Sequence, residues 1–131
     1  MTNKTEPTDV QYLAPQDFAW LIMRGHIHTI NRTNITIGRS LENDIVLQDE
    51  CISREHARIT HEDGHFVLYD LCSKGGIAVN FKRIDRVVLK MGDIIQFAQV
   101  RGIFIEDKAI INETTQRETG NLDKNQGGCG E

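Results

Sequence analysis

Three clusters of polar residues in this chain carry groups able to hold a dianion. The first is Gly38-Arg39-Ser40-Leu41-Glu42-Asn43-Asp44, directly after the apolar run Ile35-Thr36-Ile37. An arginine there offers a planar, permanently charged fork that grips two phosphate oxygens at once. The second, Ser53-Arg54-Glu55-His56-Ala57, adds a hydroxyl and another guanidinium. His56, three residues after Ser53, is spaced to hydrogen-bond the loop backbone and hold its shape, a structural rather than a catalytic task. The third, Ser73-Lys74-Gly75-Gly76, supplies an ammonium and two glycines that permit close backbone approach by a ligand. Read singly, each residue has an ordinary explanation. A lone arginine or lysine is usually solvated, Arg54 can pair with a neighbouring carboxylate, and a lone serine usually caps a turn.

The elements that must position these clusters are short strands. Apolar residues come in bursts with a spacing nearer two than 3.6, separated by Gly, Asn and Asp. Strands are expected at 19–23, 35–37, 44–47, 57–60, 66–69, 77–79, 86–89, 94–97 and 103–106. Asp63-Gly64 joins two of them, and Asp-Gly supplies the positive φ angles of a tight hairpin. Gly92 allows a sharp turn before Asp93 and the strand after it. Many short strands with turn signals and no helical stripe imply an all-β sandwich, which presents its functional groups on loops at one end.

Length and composition bound the rest. The chain has 131 residues, room for one domain; 39% are hydrophobic and 26% charged, and the net charge is −4. An acidic balance disfavours nucleic acid as partner, because coating a phosphate backbone needs a basic face. Three cysteines, Cys51, Cys72 and Cys129, form no C-x-x-C pair and no even framework, consistent with a reducing cytoplasm. His26 and His28 share a strand face without a third metal ligand. Cys51 near His56 is too thin a basis for a thiolate nucleophile, and no cofactor, phosphate-loop or nucleophile-elbow motif is present. No apolar run reaches membrane-spanning length, so neither a membrane nor a cofactor is expected. Residues 1–16 and 109–131 are polar and read as flexible tails around a folded unit at 17–108.

Taken in order, Gly38-Arg39, Asn43-Asp44-Ile45-Val46-Leu47, Ser53-Arg54-Glu55-His56-Ala57, Leu68-Tyr69-Asp70, Ser73-Lys74-Gly75-Gly76, Val79-Asn80 and Leu89-Lys90-Met91-Gly92-Asp93 closely resemble the forkhead-associated (FHA) family. The resemblance covers roughly residues 20–106. It implies a two-sheet β-sandwich of about eleven short strands that binds phosphothreonine peptides on its end loops. Arg39 and Ser53 take the phosphate-contacting positions, and Arg54, Lys74 and Gly75 lie on the peptide-binding rim. Gly38, Asn43, His56 and Asn80 take loop-supporting positions. The implied role is a non-enzymatic signalling adaptor that recruits a threonine-phosphorylated partner within a Ser/Thr kinase pathway.

One departure stands out. The family's Ser-x-Asn-Gly-Thr is here Ser73-Lys74-Gly75-Gly76-Ile77, so the asparagine that holds the peptide backbone is missing. One lost hydrogen bond costs about 0.5–1.5 kcal/mol, so binding is expected to weaken, not to vanish. The departure also leaves open a phosphate-independent interaction domain. Glu113-Thr114-Thr115 resembles the acidic-threonine sites of small bacterial FHA regulators that fold back on themselves when phosphorylated, which makes Thr114 and Thr115 candidate modification sites in a self-inhibited switch.

Overall fold

The computed structural model describes residues 10–106. The period-two pattern becomes strands wherever one face can be buried. In β1 (Ala19–Met23) Ala19, Leu21 and Met23 point inward while Trp20 and Ile22 alternate outward. Eleven strands are present among the described residues: β1, β2 (His26–Ile30), β3 (Asn34–Gly38), β4 (Ile45–Val46), β5 (Ala57–Glu62), β6 (His65–Asp70), β7 (Ile77–Val79), β8 (Lys82–Ile84), β9 (Arg86–Val88), β10 (Ile94–Phe97) and β11 (Val100–Glu106). One sheet has the order β2-β1-β11-β10-β7-β8 and the other β4-β3-β5-β6-β9. All pairings are antiparallel except β3 with β4. Phe66, Phe97, Phe104, Leu21, Ile37, Ile59, Leu68 and Ile95 fill the space between the sheets and are essentially inaccessible to solvent. The expected two-sheet sandwich is the observed fold.

The Asp63-Gly64 turn is as expected, with φ 51° and 81° at its two residues, joining the paired ends Glu62 and His65. Two hairpins lie outside the expected set. Arg24-Gly25, at φ 50° and 78°, turns β1 into β2, and Asn80-Phe81, at φ 53° and 70°, turns β7 into β8. Both new strands are sheet edges with polar or exposed residues, His26 to Thr29 and Lys82-Arg83, so they lack the apolar alternation that marks a half-buried strand.

The segment before β1 is tied to the sandwich. Leu13 N donates to Asn31 O at 2.8 Å, Thr33 N donates to Gln11 O at 3.0 Å, and Leu13 packs against the core. One apolar side chain and two backbone bonds thus hold this segment to the far end of the sandwich. A single 3-10 turn, Pro15–Asp17, leads into β1. Strands β1, β3, β6 and β10 all run towards one end, which gathers the loops β3–β4, β4–β5 and β6–β7 with the turns β1–β2 and β10–β11.

Candidate functional site

The loop end is held by side chains that bond backbone. Gly38, at the end of β3, is buried, and a Cβ there would stand 2.1 Å from Arg54 O and 2.8 Å from Asn43 Nδ2. Only glycine lets the first two loops close on each other. Asn43, itself buried, donates from Nδ2 to Ser40 O (2.9 Å) and Arg54 O (2.8 Å), and Ser40 N also donates to Arg54 O (3.2 Å). Arg39 N donates to Ser53 O at 3.0 Å, so the two loops run side by side.

His56 is fully buried and bridges the second loop to the third. Ser53 N donates to its Nδ1 at 3.0 Å, and its Nε2 lies 3.0 Å from Gly76 O. A backbone donor on Nδ1 and a carbonyl on Nε2 allow one neutral tautomer, with the proton on Nε2. The ring edge packs on Phe97, centroids 6.2 Å apart. With both nitrogens occupied, His56 is no base for Cys51, and burial pushes the Cys51 thiol up, reinforced by its hydrogen bond to Asp49. No thiolate nucleophile is formed here.

The third loop is tied by Ser73 N to Asp70 Oδ1 and by Gly76 N to Ser73 Oγ, both 3.0 Å. Lys74 N donates to Ser53 Oγ at 3.0 Å, which leaves the Ser53 hydroxyl proton free to face a ligand. Gly75 sits against the β10–β11 turn: a Cβ on it would stand 2.5 Å from the Ala98 Cβ and 3.2 Å from Cys51 O. The missing asparagine thus coincides with a neighbour that fills the space its side chain needs. Asn80 lies at the other end of the molecule. Its Nδ2 donates to Asp93 Oδ1 (2.9 Å) and its Oδ1 accepts from Ile94 N (3.0 Å), which stabilises the β7–β8 turn. Asp93 also accepts from Lys90 N at 2.7 Å.

Arg39 is exposed, and its Nε donates to Ile52 O at 2.9 Å. That bond aims the fork while leaving both Nη groups without an acceptor among the described residues. Arg54 and Lys74 are exposed as well, and neither they nor Arg39 enter an ion pair among the described residues. The ion pairs found are Arg24 with Asp49 (2.6 Å) and Arg32 with Asp44. Asp49 accepts from Cys51 N and from Arg24, which together hold its carboxyl below the usual range, and it lines an open hollow with Arg39, Gln48 and Glu50. The sandwich therefore presents unpaired cations and a free hydroxyl at one end of an acidic chain, chemistry suited to a phosphate monoester.

His26 and His28, centroids 6.3 Å apart, lie on edge strand β2, and burial followed by His26 lowers the His28 pKa. No group of three metal-binding side chains occurs among the described residues. No helix among the described residues is long and apolar enough to cross a membrane. Thr114 and Thr115 lie outside the described residues. Sequence reading did not single out Arg83, whose guanidinium rests on Gly76; the only signal was its place in a basic pair, Lys82-Arg83, after a turn.

Comparison with known proteins agrees with this architecture. Residues 35–98 match the FHA domain family. The chain is 39% identical over 77 residues to the oxoglutarate dehydrogenase inhibitor of Corynebacterium diphtheriae, covering 59% of this chain and 54% of that protein. It spans about half the length of the curated relatives it matches. Among solved structures, EmbR of Mycobacterium tuberculosis in complex with a low-affinity phosphopeptide superposes with a TM-score of 0.65 at 33% identity, over 67% of this chain and 24% of that one. An FHA domain studied for its phosphothreonine-dependent interactions superposes with a TM-score of 0.66 at 25% identity, over 69% of this chain and 97% of that one. Matched by sequence across its site loops and by structure across nearly the whole of an isolated domain, the sandwich of this chain belongs to the forkhead-associated (FHA) domain family.

Proposed function

We propose that the loop end binds a phosphothreonine segment of a partner protein, and that the domain acts as a cytoplasmic signalling adaptor downstream of a Ser/Thr kinase. The observation that carries this reading is Arg39: an exposed guanidinium oriented by one bond to Ile52 O and free at both Nη groups, in a loop bonded directly to that of Ser53. A phosphate carrying about −1.5 to −2 charges would take the Arg39 fork and the Ser53 hydroxyl, with Arg54 and Lys74 on the rim. Gly38, Asn43 and His56 keep the loops in register, and no residue is assigned a catalytic role. Gly75 offers backbone alone where the family has an asparagine, so the peptide main chain is held less firmly.

Calorimetric titration of a degenerate phosphothreonine peptide library, beside unphosphorylated controls, tests the proposal. Binding should require the phosphate and fall by more than about tenfold in Arg39→Ala, since charge-assisted hydrogen bonds are worth roughly 1.5–3 kcal/mol. Equal binding of phosphorylated and unphosphorylated ligands would instead support a phosphate-independent interaction domain. Full-length protein whose apparent affinity drops after kinase treatment at Thr114 or Thr115 would support the self-inhibited switch.

A further inference from the structure

Arg83 stands outside the three loops, on edge strand β8, opposite Ala78 of β7. Its side chain nevertheless reaches the site. A Cβ on Gly76 would stand 2.6 Å from the Arg83 Cζ and Nε and 2.8 Å from its Nη2, so the guanidinium lies flat against the Gly76 backbone. Gly76 is at φ +77° and its carbonyl accepts from His56, which fixes this backbone in place. Arg83 is exposed, and its side chain enters no ion pair among the described residues. Charged residues on an edge strand commonly serve to block sheet-to-sheet association, and Lys82 beside it is explained that way. That role does not require the guanidinium to lie on one particular glycine of a ligand loop.

We infer that Arg83 is a second anion-recognition residue, which selects partner segments carrying an acidic side chain close to the phosphothreonine. The inference rests on the phosphothreonine reading above. A peptide anchored by its phosphate at Arg39 and Ser53 that continues across the third loop passes Lys74, whose amide touches Ser53 Oγ, then Gly75 and Gly76. Gly76 carries the Arg83 guanidinium, so an extended segment that continues past it, advancing about 3.3 Å per residue, comes to Arg83. With glycine at both 75 and 76, no side chain of the loop screens the guanidinium from that peptide. A carboxylate there meets a planar fork already desolvated on one face, and the contact replaces in part the hold that an asparagine at position 75 would exert.

The test uses the full chain and phosphothreonine peptides in which one aspartate is moved through the four positions on each side, each paired with its asparagine isostere. Fluorescence anisotropy at low salt should show one position at which aspartate binds about three- to fivefold tighter than asparagine. In Arg83→Gln that preference should fall below about twofold while the asparagine peptide binds as before, and Arg83→Glu should prefer lysine at the same position. A preference for aspartate that survives Arg83→Gln, or no aspartate preference at any position in a domain that still requires the phosphate, overturns the assignment of Arg83. Loss of any phosphate requirement in the wild-type protein overturns the phosphothreonine reading itself and the inference with it.

Discussion

His56→Ala tests how the site is built. The imidazole joins the second and third loops through two hydrogen bonds, from Ser53 N and to Gly76 O, both 3.0 Å long and inside the protein. Alanine leaves the Ser53 N–H without a partner, at about 1–3 kcal/mol, whereas Gly76 O keeps the hydrogen bond it accepts from Ala98 N at 3.0 Å. It also opens a void beside Phe97, whose ring meets the imidazole edge. Water entering this polar void returns part of the loss. The expected destabilisation is about 2–4 kcal/mol, a large share of the roughly 5–15 kcal/mol that holds a domain together. Urea unfolding followed by Trp20 fluorescence measures it, with Ser53→Ala as control, because that variant removes a hydroxyl and keeps the His56 contacts. The control should cost less than about 1 kcal/mol in stability yet weaken phosphopeptide binding. His56→Ala that lost less than about 1 kcal/mol and bound phosphopeptide as the wild type does would refute the bridging role.

Three further outcomes follow from the geometry. Gly38→Ala should displace the second loop, since its Cβ meets a backbone carbonyl at 2.1 Å and not a side chain able to turn away; amide chemical shifts of residues 53–56 report the displacement, and an unshifted spectrum rules it out. Gly75→Asn alone should bind no better than the wild type, whereas Gly75→Asn with Ala98→Gly should regain affinity by up to about tenfold, because Ala98 Cβ occupies the space the new side chain needs; equal affinities for both variants in calorimetry would contradict this. The Glu62 carboxyl is held below its ordinary value of 4.5, first by the Thr60 hydroxyl and then by the Tyr69 hydroxyl at 2.6 Å. A depressed carboxyl stabilises the fold above the unfolded value, and that contribution disappears as pH falls through the lower folded value. Tyr69→Phe should therefore raise the Glu62 titration midpoint and shrink the loss of stability below about pH 4.5; carboxyl-carbon NMR that leaves the midpoint unmoved would exclude the hydrogen bond as its cause.

Much of the fold was legible because it is local. Alternating apolar residues specify which face of a strand is buried, as in Ala19, Leu21 and Met23, and Asp63-Gly64 specifies its hairpin because few residue pairs accept two positive φ angles. The loops bearing Arg39, Ser53 and Lys74 could be located the same way, since each follows a readable strand or turn. Strands β2 and β8 could not, because edge strands bury little and their side chains carry no periodic signal. Turns through Arg24 and through Asn80-Phe81 place non-glycine residues at positive φ, a strain accepted only when pairing on both sides holds it.

What the sequence by itself determined is the class of the molecule and the chemical groups it brings to one end: the fork of Arg39, the hydroxyl of Ser53 and the ammonium of Lys74. Tertiary structure alone decided the relations between segments far apart in the chain. It set the tautomer of His56 through Gly76, twenty residues away, the requirement for glycine at 38 through Arg54 O, the closure of position 75 by Ala98, and the placement of Arg83 over Gly76. The physical reason is that local pattern reports burial and turning, which each segment settles with solvent and its neighbours in sequence. Close approach of two loops is a property of the pair, and it exists only once the two sheets have packed.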